Sequence, residues 1–155
     1  MIKVEIVSGK INHFISDGNH TNDGAEVIFN GRVRNLEKDK KIIALEYEHY
    51  EGMAELELKK LAEKTVNKFS LNDLFCIHRV GKVPIGEASL HISIWSPHRK
   101  EALNALEWFI TELKKNVPIW KWAIYEDGTR ESTSMTNKIR SFFLIYLILF
   151  NIFKN

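Results

Sequence analysis

The stretch EASLHISIWSPHRKEALNALEWFITELKKNVPIWK, residues 87–121, changes its period in the middle, and that change decides the fold class. From Glu87 to Trp95 the residues Ala88, Leu90, Ile92 and Ile94 alternate with Ser89, His91 and Ser93. A period of two with one apolar face predicts a half-buried antiparallel strand. Ser96 and Pro97 stop it. Beyond Arg99 the apolar residues Leu103, Leu106, Ile110 and Leu113 recur at helical spacing, so a long helix follows. Pro118 then bends the chain between Lys114 and Lys121.

Working outward, the same two periods alternate along the chain. Ile2, Val4 and Ile6 against Lys3 and Glu5 give an opening strand. The next residues, to about Asp23, are polar, with a short helical turn expected around Ile11, Phe14 and Ile15. GAEVIFNGRVRNL places Ala25, Val27, Phe29, Gly31 and Val33 on one strand face, and Glu26, Ile28, Asn30, Arg32 and Arg34 on the other. Glu37-Lys38-Asp39-Lys40 reads as a solvated charged turn and KIIALEYEHY as a second strand, so a hairpin joins the two. Ala54, Leu58, Leu61, Ala62, Thr65 and Phe69 mark a first long helix. Leu71–Val80 reads as a strand and residues 81–86 as a loop. Strands with two intervening long helices predict an α+β fold of antiparallel strands rather than a doubly wound sheet.

The bulk properties suit one globular domain, taken here as residues 1–126. Residues 127–155 read as a polar linker and an atypical apolar tail. The tail's uncharged run, Ser141–Phe153, is shorter than the roughly 20 residues of a membrane-spanning helix. It reads as a packing segment, a membrane-surface anchor or a shifted reading frame, since its residue types all have AT-rich codons. The N-terminus alternates apolar and charged residues, unlike a signal peptide, so a cytoplasmic protein is expected. A formal charge of +2 and no interleaved basic and aromatic platform argue against a nucleic-acid binder. The single cysteine, Cys76, lies in an apolar run and reads as a buried, inert thiol.

The candidate chemistry is cationic. His98 and Arg99 stand at the expected N-terminus of the second helix, where free backbone N–H groups and the helix dipole favour anions. Ordinary surface residues of a first turn have the same sequence. Lys114 and Lys115 complement the dipole at the other end of that helix, which is reason enough for both. Lys121 follows Trp120 in an apolar, Pro-stiffened segment, and a chain that doubles back at Pro118 would point Lys114 and Lys121 at one volume. Two lysines held together and buried become acid, base or nucleophile candidates. Arg32 and Arg34 suit either a solvated strand edge or a ligand. His78 and His91 read as structural, and no HExxH-like metal spacing, Ser-His-Asp set or glycine-rich nucleotide loop occurs. No metal or cofactor is expected.

Four segments in order, GAEVIFNGRVRN, LEYEHYEGMAELEL, IHRVGKVPIGEASLHISIWSPHRKEAL and LKKNVPIWK, resemble the large, catalytic subunit family of molybdopterin synthase, MoaE, over about residues 24–121. The resemblance implies an α/β-hammerhead type of fold, a homodimer within a heterotetramer, and a small ubiquitin-like sulfur-carrier partner. That partner's thiocarboxylated C-terminus would supply sulfur to cyclic pyranopterin monophosphate, giving molybdopterin. It also implies site residues. The catalytic pair falls on Lys114 and Lys121, with Lys114 nearest the incoming thiocarboxylate. Substrate contacts fall on Arg32, Val33 and Arg34, Arg34 foremost, on His98 and Arg99, on both lysines, and on Trp122 and Ala123. Where the family has a basic and then an acidic residue after its Trp-Lys pair, this chain has Trp122 and Ala123, which bears on how Lys121 is oriented or protonated. A catalytically impaired module that holds the ubiquitin-like partner or a phosphorylated ligand is the alternative.

Overall fold

The computed structural model describes residues 1–12 and 18–133. The elements run β1 (Ile2–Val7), β2 (Ala25–Arg32), β3 (Leu36–Glu37), β4 (Lys40–Lys41), β5 (Ala44–His49), α1 (Met53–Phe69), β6 (Asp73–Arg79), β7 (Gly81–Pro84), β8 (Ala88–Ser96), α2 (Arg99–Asn116), β9 (Ile119–Ile124) and β10 (Arg130–Ser132). Two four-stranded sheets form, in the orders β1-β6-β8-β2 and β10-β9-β5-β7, with β3 and β4 as a small separate ribbon. The fold is α+β with two long helices, as the two periods predict.

The helices pack on one face of the first sheet. Leu58, Leu61, Phe109 and Leu113 from the helices meet Leu74 and Cys76 of β6 and Leu90, Ile92 and Ile94 of β8 in one buried cluster. The expected apolar face of α1, from Ala54 to Thr65, is buried as its spacing requires. A second, smaller cluster of Val33, Ile42, Leu45, Val83 and Ala123 belongs to the second sheet. The chain passes between the sheets at Gly81, whose φ of 80° turns β6 into β7 without the Cβ clash that another residue would meet.

Several local expectations are corrected. No hairpin joins β2 and β5: β2 pairs antiparallel with β8, and β5 pairs with β7 and β9 in the other sheet. Long-range ladders won over sequence proximity. Residues 81–84, read as a loop, form β7 against β5. β1 runs parallel to β6, the one parallel pair among the described residues, beside antiparallel ladders. β8 is buried on both faces, because the polar side satisfies itself: His91 bonds Asn30 at 2.8 Å and Ser93 at 2.9 Å, and Ser89 meets the Tyr47 hydroxyl at 3.0 Å. Residues 127–133, read as linker, form a turn and β10, which pairs with β9. The helical turn around Phe14 and Ile15 and the apolar tail lie outside the described residues. Among the described residues no helix is long and apolar enough to cross a membrane.

Candidate functional site

The site is built at the corner between α2 and β9. Val117 ends α2 in extended conformation (φ −84°, ψ 125°), as a residue before proline must, and Pro118 is buried. Lys114 is exposed in the last helical turn on one side of this corner. Lys121 lies on the other side, third in β9, with its side chain 31% exposed. Its register partner is Tyr47 of β5. Alternation puts Ile119, Lys121 and Ala123 on one face of β9, and Trp120 and Trp122 on the other.

Arg32 ends β2, and Val33 and Arg34 begin the connection to β3. Val33 and Ala123 are both members of the second buried cluster, so the β2–β3 connection lies across β9. Arg32 donates to the Gly86 carbonyl at 2.9 Å. Val33 is fixed by its own backbone, donating to the Glu87 carbonyl and accepting from the Gly86 N–H. Arg34 is exposed and has no side-chain partner among the described residues. Ala123 has no exposed surface, and Trp122 faces away from Lys121, its indole N–H bonded to Glu48 at 3.0 Å under the Arg130 guanidinium. His98 and Arg99 are exposed at the start of α2, with the His98 N–H reaching Ser96 Oγ at 3.4 Å. Arg99 and Lys114 are separated by about 22 Å of helical rise. Lys114 and Lys121 therefore flank the corner after α2, His98 and Arg99 stand at the opposite end of that helix, and Arg32 lies against a cavity lined by Lys10, Asn30, Glu87 and His91.

Sequence reading missed Glu37. It took residues 37–40 for a solvated tip, but the Glu37 side chain is 14% exposed and its Oε1 lies 3.1 Å from Lys121 Nζ. Lys38 and Asp39 both adopt left-handed backbone (φ 48° and 63°), making the tight two-residue turn that pairs Glu37 with Lys40. That conformation costs a non-glycine residue about 1–2 kcal/mol. Lys38 and Lys40 also approach Glu131 of β10, at 3.9 and 3.5 Å, clasping the turn over β9. Burial holds the Tyr47 hydroxyl above its usual pKa, with the Glu37 charge adding to the effect. His78, packed edge-on to Tyr47 at 5.3 Å, is pushed down to about 4 by burial. Glu37 carries no local signal, being one of two acids that alternate with lysines in a short turn, and its partner lies 84 residues away.

Comparison with known proteins identifies the family. The family described as MoaE protein matches residues 3–116, which include β2, both helices and Lys114. The chain belongs to the MoaE family. It is 49% identical over 105 residues to the molybdopterin synthase catalytic subunit of Taeniopygia guttata, covering 67% of this chain and 68% of that one. The crystal structure of molybdopterin synthase from Staphylococcus aureus superposes with a TM-score of 0.73 at 34% identity, over 83% of this chain and 94% of that one. A complex of subunits 1 and 2 of molybdopterin-converting factor from Helicobacter pylori is also similar, with 26% identity and a TM-score of 0.66 over 86% and 91% of the two chains. The MoaE match ends with α2, so Lys121 and the β9–β10 region lie beyond it.

Proposed function

We propose that this chain is the sulfur-transferring subunit of a cytoplasmic molybdopterin synthase. It takes sulfur from the thiocarboxylated C-terminus of a small ubiquitin-like subunit and places it, in two transfers, on cyclic pyranopterin monophosphate. The observation that carries the reading is the family membership joined to a cationic corner in which Lys114 and Lys121 flank Val117-Pro118. Both the donor tail and the pterin phosphate are anions, and ammonium and guanidinium groups offer them charge-assisted hydrogen bonds. Lys114, exposed at the helix end, meets the incoming thiocarboxylate and assists as acid, base or nucleophile. Lys121 binds the pterin and stabilises the oxygen that departs as sulfur enters. Arg34 and Arg32, from the end of β2 and the connection that follows it, serve in this reading as further anion contacts. Each transfer leaves the donor tail as a carboxylate.

His98 and Arg99 belong to the same chemistry only if a second copy brings its α2 N-terminus to the first copy's corner. A homodimer with two composite pockets, each served by one small subunit, meets that requirement through twofold symmetry. The test is reconstitution: purified protein, thiocarboxylated small subunit and pterin precursor, with the dithiolene product read by mass spectrometry. Product from wild type and none from Lys114→Ala supports the reading. Undiminished product from Lys114→Ala overturns the site. Tight small-subunit binding with no product from wild type would favour the impaired module instead.

A further inference from the structure

We propose that Glu37 is the positioning residue of Lys121: its carboxylate holds the ammonium in the orientation that sulfur transfer uses. The inference rests on the assignment of Lys121 to the sulfur-transfer centre. Among the described lysine and arginine ion pairs, this one has the least exposed carboxylate, 14%, while the other acids range from 23% upward. A lysine stem has many rotamers and its head is a point charge, so direction must come from a partner. Ala123, on the same face of β9 as Lys121, carries only a buried methyl and supplies none. Glu37 supplies it at 3.1 Å from the small ribbon of β3 and β4.

The ribbon is shaped for that contact. Two successive left-handed residues, neither a glycine, make the turn that carries Glu37. Backbone strain of this kind persists where surrounding contacts over-determine it. Those contacts are the Lys38 and Lys40 approaches to Glu131 and the Lys38 ammonium on the Ser132 carbonyl at 3.5 Å, all directed at β10 beside β9. The ribbon is thus tied to the strand next to Lys121's own. A surface ion pair of purely structural use would contribute little and tolerate loss of either partner. A positioning pair instead controls the geometry of a group at the reacting atoms, where small misplacements cost rate.

The experiment compares Glu37→Gln, Glu37→Asp and Lys121→Ala in the reconstituted synthase, measuring kcat, KM for the pterin, thermal midpoint and small-subunit affinity. Glu37→Gln is expected to lower kcat about tenfold, with KM within about twofold and midpoint and partner affinity unchanged. Glu37→Asp, which keeps the charge on a shorter stem, recovers part of the lost kcat. A second readout is independent of turnover: the ¹⁵N-lysine ammonium resonance of Lys121 is protected from exchange in wild type and lost in Glu37→Gln. Wild-type kcat in Glu37→Gln alongside an inactive Lys121→Ala overturns the role of Glu37 and leaves the lysine assignment standing. A fully active Lys121→Ala overturns the assignment itself. Loss of activity that only tracks a lowered midpoint, or an ammonium signal identical in both proteins, also overturns the proposal.

Discussion

His78 makes the stability of this protein depend on pH in a way that one substitution isolates. The ring is buried at 5% exposure. Its Nδ1 lies 2.9 Å from the Arg79 carbonyl, and a carbonyl only accepts, so Nδ1 carries the proton and Nε2 is bare. Protonating Nε2 would place a charge in a pocket that burial makes hostile to it, with the nearby His49 adding to the effect. The folded pKa is about 4, below the roughly 6.5 of an unfolded chain. Between those values the unfolded chain binds more protons, so stability is lost as pH falls through that window. Two and a half units correspond to about 3 kcal/mol, of which about 2 kcal/mol is gone by about pH 5. Urea unfolding followed by tryptophan fluorescence measures it, in wild type and in His78→Asn, whose side-chain amide can still donate to the Arg79 carbonyl. The substitution has a fixed packing cost, but the gap between the two proteins should narrow by about 2 kcal/mol from about pH 7.5 to about pH 5. A gap that stays constant would refute the buried, neutral imidazole.

Other consequences are simpler to check. Phe109 has no exposed surface in the main core, and Phe109→Ala should cost about 3–5 kcal/mol in the same urea assay. Burial pushes the Cys76 thiol far above its ordinary pKa, so it should resist an aromatic disulfide reagent in the native protein and react fully in denaturant; rapid native reaction would contradict its burial. Lys114 is exposed with no side-chain partner among the described residues, so Lys114→Ala should change unfolding free energy by less than about 0.5 kcal/mol while sulfur transfer disappears.

Periodicity revealed the elements whose environment is simple. Helix α1 buries the stripe its spacing predicts, and β2 alternates cleanly between partly buried and exposed residues. In α2 the existence of a helix was legible but its buried face was not: Ala102, Ala105, Phe109 and Leu113 are buried, whereas of the expected stripe only Leu113 is, and Leu103 is exposed. Periodicity also failed where a partner was remote or a polar face was buried. The Ser-His face of β8 looks solvated in sequence, yet Asn30, Ser93 and Tyr47 satisfy its polar groups inside the protein. β7 carries Gly81 and Pro84, ordinary loop signals, and is a strand only because β5 lies beside it. The site divided in the same way. The cations were visible as residue types, whereas the separation of Arg99 from Lys114 by the length of α2 follows once the helix is continuous between them. Glu37 was invisible because an ion pair to a residue 84 positions away leaves no local pattern.

That separation sets the sharpest test of the composite pocket. Arg99→Ala and Lys114→Ala protomers, each inactive in sulfur transfer alone, are co-expressed so that mixed dimers form. Random pairing makes half of the dimers mixed, each with one intact pocket of two, so activity should return to about a quarter of wild type. Activity no higher than that of either parent, with mixed dimers demonstrated in the sample, would contradict a pocket built from both ends of α2.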